Sequence, residues 1–140
     1  MITAIDTNVI VALWAADPEL SAAAESALDA SLRDGGLVVC PAVFAALMAA
    51  PGRDETFVNT FFRDTGIRVE WGLEERVWRT AGAAFQIYAV RRRKQHESGP
   101  RRILADFLIG AHAFHVSRCL LTLDDRFYST AFPNLTILVP

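Results

Sequence analysis

The chain has 140 residues, is 52% hydrophobic and 21% charged, and carries a formal net charge of −2. A chain of this size buries roughly 68–70% of its unfolded surface, so it can fold without a disulfide or metal staple, most simply as one domain over residues 1–140. No apolar run approaches the ~20 residues of a membrane span, and no basic segment precedes a hydrophobic stretch at the start, so the expected compartment is the cytoplasm, with no membrane partner.

Ile2 to Ile5 reads as a short buried strand and Thr7 to Ala15 as a helix directly after it. Asp6 stands at their junction, with Thr7 and Asn8 opening the helix. Ligands of open α/β sheets collect beyond the carboxyl ends of the strands. An acidic residue there, followed by two small hydrogen-bonding side chains, is placed to hold a cation. The competing reading is a plain helix cap, for which Asp, Thr and Asn are all suited. Asp17-Pro18 opens a second helix, with Asp as N-cap and Pro in the first turn. Its alanine-rich body, Leu20 to Leu32, favours helix and Gly35 ends it. Leu37 to Cys40 is a second buried strand. Pro41 starts a third helix, Val43 to Ala50, closed by Pro51-Gly52; Asp54 to Asp64 forms a fourth, with Phe57, Phe61 and Phe62 at helical spacing and Gly66 as its stop. Ile67 to Val69 is a third strand.

The longest helix is expected from Leu73 to about Arg93, with Trp78, Phe85, Tyr88 and Ala89 on its buried side. Its Glu-rich start and Arg-rich end suit the helix dipole. A polar break over Gln95 to Pro100 leads to a helix from Ile103 to His115, a strand Leu120 to Thr122, a turn or short helix Asp124 to Ser129, and a last strand Thr136 to Val139. Strands alternating with helices predict an α/β fold, with a central, mostly parallel sheet of four to five strands and helices on both faces. Trp14, Trp71, Trp78 and most phenylalanines are assigned to the core. Cys40 and Cys119 fall at opposite ends of such a sheet, roughly 10–15 Å apart at ~3.3 Å per residue. A disulfide requires Cα atoms within about 7 Å, so two buried free thiols are expected.

Two further carboxylates belong to the same sheet edge. Asp124 follows the strand Leu120 to Thr122, and Asp106 lies in the first turn of an apolar helix, where an unpaired buried charge is costly. A cation shared with Asp6 would relieve it, although each acid also has an ordinary reading as a helix-start or turn residue. Carboxylates without a His or Cys cluster favour a hard ion, Mg²⁺ or Mn²⁺, whose chemistry is water activation at a phosphodiester. His112 and His115 read as core or surface residues and His96 as exposed, since none has metal-ligand spacing. Residues 91–102 hold Arg91, Arg92, Arg93, Lys94, Arg101 and Arg102 against Glu97 alone, a local charge of +5 on a body of −7. Such a strip suggests contact with a polyanion, Arg pairing with phosphate through its planar fork. The alternative is a solvated helix end that complements the dipole.

The segments Ile5-Asp6-Thr7-Asn8, Ala105-Asp106-Phe107-Leu108-Ile109-Gly110-Ala111-His112-Ala113 and Leu121-Thr122-Leu123-Asp124 resemble the signature segments of PIN-domain ribonucleases. Among these, the small bacterial VapC-type toxins of type II toxin–antitoxin systems are most similar, over essentially the whole chain. The resemblance implies an Mg²⁺- or Mn²⁺-dependent endoribonuclease that cleaves structured RNA such as tRNA or rRNA. It implies Asp6, Asp106 and Asp124 as catalytic metal ligands, with Thr7, Asn8, Thr122 and Asp125 in support. It also implies a homodimer, RNA contact through the basic strip, and neutralisation by a small antitoxin seated near the first helices and the acidic site.

One position departs from the pattern. The family's second acid is a Glu in a Val-x-Ala-Glu-Leu-like helix start, whereas this chain reads Val43-Phe44-Ala45-Ala46-Leu47. Natural weakening and a deliberate replacement that renders a toxic nuclease harmless both account for Ala46, and the second is the favoured reading. Either way the fold should survive, Ala being a good helix former, and activity should be impaired. Two other readings compete. One is a non-catalytic module of the same fold that binds RNA or a protein. The other is a phosphoryl-transfer enzyme with Asp6 as nucleophile, weakened by Asn8 where such enzymes usually carry a second Asp.

Overall fold

The computed structural model describes residues 1–96, 99 and 101–140. In chain order the elements are β1 (Thr3–Ile5), α1 (Thr7–Leu13), α2 (Pro18–Asp34), β2 (Leu37–Val39), α3 (Pro41–Leu47), α4 (Glu55–Thr65), β3 (Arg68–Val69), α5 (Glu75–Lys94), α6 (Leu104–Val116), β4 (Cys119–Leu121), α7 (Asp125–Ala131) and β5 (Thr136–Leu138). The five strands form one sheet in the order β3-β2-β1-β4-β5, and every pairing is parallel. β1 is therefore central. β1, β2 and β4 are buried at every position, and successive strand side chains point to opposite faces, so both faces of the sheet are covered.

Local chemistry sets the element ends. Asp17 accepts hydrogen bonds from the backbone N–H groups of Glu19 and Leu20 at the start of α2, and Asp54 accepts one from Phe57 at 2.8 Å at the start of α4. Gly66 ends α4 with φ 72°, a left-handed conformation that costs glycine little. α6 is buried continuously from Phe107 to Ala113 and packs on β1 and β4, with α3 and α5 beside it. Phe107 stacks on Phe85 of α5 with centroids 4.5 Å apart and meets Phe127 of α7 edge-on at 5.3 Å. This aromatic column ties three helices together.

The expected α/β architecture is what the chain adopts, and the strand ends differ from expectation by a residue or so. Cys40 and Cys119 are buried and free. His96 is exposed, whereas His112 is buried. Two tryptophans correct the expected core. Trp71 is 63% and Trp78 50% exposed. α5 buries Tyr88 as expected, with Val77 and Ala81 in place of Trp78, a stripe displaced by one residue. Phe85 and Ala89 are half-buried, and Phe57 is exposed. The polar break expected over Gln95 to Pro100 falls partly on residues 97, 98 and 100, outside the described residues. Among the described residues no helix is long and apolar enough to cross a membrane.

Gly110 lies on the buried run of α6. A Cβ there would stand 2.2 Å from the Phe132 ring, and Phe132 is itself buried, so the ring has little room to yield. Gly110→Ala should therefore lower stability by about 1–3 kcal/mol through overpacking, measured as a reduced urea midpoint.

Candidate metal centre

The site begins with the parallel pairing of β1 and β4, which sets Ile5 beside Leu121. The next residue of each strand is then Asp6 and Thr122. The backbone N–H of Asp6 donates to the Leu121 carbonyl at 3.0 Å, and the Thr122 hydroxyl donates to Asp6 Oδ2 at 2.8 Å. Asp6 occupies the N-cap position of α1, yet its carboxylate makes no capping hydrogen bond. It is 6% exposed. Burial, with a smaller contribution from the charge of Asp106, pushes its pKa from the ordinary 3.8 up to about 6 against the opposing Thr122 hydrogen bond.

Thr122 is fully buried and links the surrounding residues. Its Oγ1 accepts from the backbone N–H of Asp124 at 2.9 Å and from Asn8 Nδ2 at 3.5 Å. Asn8 Oδ1 in turn accepts from the Leu123 backbone at 3.1 Å. Asp106, half-buried in the first turn of α6, accepts from the Ile103 N–H at 3.3 Å. Burial raises its pKa and the neighbouring Asp124 adds to the rise, while Arg102 opposes it. Asp124 is ion-paired with Arg102, whose guanidinium lies 4.3 Å from the Phe127 ring centre. Asp106 thus lies within electrostatic reach of Asp6 on one side and of Asp124 on the other, at the carboxyl edge of the central strands. Asp125 is exposed in the first turn of α7, and Ala46 is exposed on α3.

One residue at this site escaped the sequence reading. Tyr128, on α7 one turn after Asp124, is 1% exposed. Its hydroxyl lies beside Asp6. Burial, followed by the charges of Asp6, Asp106 and Asp124, drives its pKa far above the usual phenol range. Among the described residues the buried Thr7 Oγ1 has no hydrogen-bond partner, and the Tyr128 hydroxyl makes none of good geometry although it interacts with the Asp6 carboxylate. In Leu123-Asp124-Asp125-Arg126-Phe127-Tyr128 the tyrosine is one of two adjacent aromatics. Its i+4 spacing from Asp124 is the signal that could have singled it out.

The donor set consists of carboxylate and hydroxyl oxygens, which suits a hard cation, and the two poorly satisfied hydroxyls beside a buried carboxylate fit such a guest. Among the described residues, no three His, Cys, Asp or Glu side chains are drawn together tightly enough to share an ion. Arg102 supplies the positive charge at Asp124 instead.

The basic strip continues from this site. A cleft of about 570 Å³ between the end of α5 and the start of α6 is lined by Phe85, Tyr88, Arg92, Arg93, Arg101 and Arg102, among others. The Tyr88 hydroxyl accepts from the Arg102 backbone at 2.9 Å and from Arg92 at 3.4 Å, and Arg92 also donates to the Gly99 carbonyl. Arg91 lies 5.9 Å from the Tyr88 ring centre. Arg93, Lys94 and Arg101 are exposed and form no ion pair among the described residues. Arg102, expected as a phosphate contact, is therefore already engaged with a carboxylate. His112 stands apart from this edge, with Nε2 3.3 Å from Glu70 Oε1.

The PIN-domain family matches residues 3–133. The chain belongs to that family. Its fold is also shared with solved structures. The VapBC2 complex of Rickettsia felis, bound to a DNA fragment from its promoter, contains a chain that superposes with a TM-score of 0.66 at 17% identity, covering 99% of this chain and 98% of that one. VapBC-1 of nontypeable Haemophilus influenzae gives 0.65 at 21% identity, with 99% and 98% covered. FitAcB of Neisseria gonorrhoeae gives 0.63 at 21%, with 99% and 96% covered. A search of curated protein sequences finds no match. At these identities the likeness concerns the fold, and the PIN-domain carboxylates must be tested directly.

Asp6 gives such a test. A carboxyl whose pKa is raised in the folded state to about 6 binds its proton more tightly when folded. Its contribution to stability is full below pH ~4 and is lost as pH rises through ~6, by about 3 kcal/mol at most. The metal-free PIN domain should therefore lose stability across this window, and Asp6→Asn should flatten the dependence. Urea unfolding at pH 4, 5, 6 and 7 measures both.

Proposed function

We propose that this PIN domain is an Mg²⁺- or Mn²⁺-dependent endoribonuclease, the toxin of a toxin–antitoxin pair, directed at structured RNA such as tRNA or rRNA and impaired by Ala46. The observation that carries this reading is the buried Asp6 carboxylate at the end of the central strand, with Asp106 in its electrostatic reach and Asp124 in that of Asp106. Asp6, Asp106 and Asp124 would hold the ion. Bound there, it supplies acidified water and charge for a phosphodiester under attack. Thr122 and Asn8 orient the Asp6 and Asp124 ends of the two strands through the hydrogen bonds described. Arg93 and Arg101 bind phosphate along the cleft, Lys94 adds its charge from the neighbouring surface of α5, and Arg102 stands between cleft and carboxylates.

The VapBC and FitAB complexes of similar fold support an antitoxin partner for this chain, and we extend the reading to a homodimer. Ala46 on α3 replaces the acid that would complete the carboxylate set. Ala46 together with the Arg102–Asp124 ion pair also favours a second reading, a PIN-fold module that binds RNA or a protein partner without cleaving it.

The two readings separate in a cleavage assay on mixed tRNA and rRNA with Mg²⁺ or Mn²⁺. Ala46→Glu should raise cleavage by at least ~10²-fold, by analogy with the loss that follows removal of metal-site support, and Asp6→Asn should abolish the gain. Cleavage by neither form would leave the binding module. RNA affinity provides an independent measurement. With three unpaired cations on the strip, the slope of log affinity against log salt for a single strand should be about −2. Replacing Arg93 and Arg101 by Gln should flatten it, and a wild-type slope near zero would remove the strip from the RNA contact.

A further inference from the structure

The Tyr128 hydroxyl is an unusual group to find in a core. The residue is 1% exposed, and its oxygen makes no hydrogen bond of good geometry among the described residues, although it interacts with the Asp6 carboxylate. A poorly satisfied buried hydroxyl is costly, and phenylalanine would keep the ring contacts without that cost. Those contacts are substantial. The ring meets Phe127 edge-on at 4.8 Å and Phe132 at 6.5 Å between centroids. Packing explains the ring and leaves the oxygen unexplained.

The position of that oxygen suggests its role. Asp6, Asp106 and Asp124 all act on Tyr128 electrostatically, and the Asp6 carboxylate is the one its hydroxyl engages. Asp6 has one hydroxyl donor already, Thr122, on Oδ2. An ionised carboxylate offers about four lone-pair sites, so a second hydroxyl donor still leaves room for a cation. Carboxylates that ligate metals are generally held by such hydrogen bonds, and losing one costs about 10–100-fold in metal affinity or activity. α7 follows directly from Asp124, so one short segment carries both a carboxylate and this donor.

We propose that Tyr128 is a positioning residue of the carboxylate site: its hydroxyl donates to Asp6 when a divalent ion is bound and, with Thr122, fixes that carboxylate from two sides. The inference rests on the metal-dependent reading above and assigns a role to a residue outside the acidic set.

The test is Mn²⁺ binding by isothermal titration calorimetry, without RNA, for the chain and for Tyr128→Phe, with urea unfolding of both proteins free of metal. A purely structural tyrosine and a positioning tyrosine predict opposite patterns. On the present account Tyr128→Phe leaves metal-free stability unchanged or higher, because the hydroxyl removed makes no hydrogen bond of good geometry there, while Mn²⁺ affinity falls about tenfold. Equal Mn²⁺ affinity in the two proteins overturns the proposal, whatever happens to stability. The same comparison in an Ala46→Glu background covers the case of weak binding by the chain as it stands. Absence of Mn²⁺ binding in both backgrounds would overturn the metal-dependent reading, and this inference with it.

Discussion

The hydrogen bond from Thr122 to Asp6 is the contact on which the arrangement of the sheet edge depends. It joins the ends of two adjacent parallel strands whose residues are separated by more than a hundred positions in the chain. Its partners spread the constraint outward. Thr122 accepts from the Asp124 backbone and from Asn8, and Asn8 accepts from Leu123. The carboxylate at the centre is almost wholly removed from water, which makes its charge expensive. Lone hydrogen bonds to a buried carboxylate offset only part of that cost, as the upward movement of the Asp6 pKa to about 6 records. A site of this kind is incomplete in energetic terms until a cation or a proton occupies it.

The two charged regions of the molecule meet at Arg102. Its backbone is fixed to the Tyr88 hydroxyl on α5, its guanidinium lies over Phe127 on α7, and its ion-pair partner is Asp124. The residue thus belongs to the basic strip by sequence and to the acidic edge by contact. A positively charged cleft next to carboxylates is a sensible arrangement for a polyanion that must approach negative groups. Under the proposed function the cations would draw phosphate in, and neutralisation at the acids would limit repulsion.

Much of this was legible in the chain itself. The alternation of short apolar runs with capped helices carried the α/β fold, because Asp17, Asp54 and Gly66 mark ends by chemistry that acts within a few residues. Asp6 was legible for a similar reason, since a strand followed at once by a helix leaves the intervening residue at the sheet edge. What was not legible depends on packing between distant elements. Tyr88 is buried as its spacing predicts, but the burial of Val77 in place of Trp78 follows from how α5 packs on α6, which no local pattern encodes. Arg102 read as one more cation in a run, because its carboxylate partner lies twenty-two residues away. Tyr128 drew no reading from the sequence, because its ring is ordinary core and only the placement of its buried hydroxyl against Asp6 distinguishes it.

The central claim is that the carboxyl edge of β1 and β4 is the seat of a divalent ion. The most direct measurement is anomalous diffraction at the manganese edge from crystals soaked in Mn²⁺, free of any antitoxin. The account predicts a peak bounded by Asp6, Asp106 and Asp124, with the Arg102 guanidinium withdrawn from Asp124. A map without a peak at this edge, and with the Arg102–Asp124 ion pair intact at a saturating concentration of Mn²⁺, would contradict it.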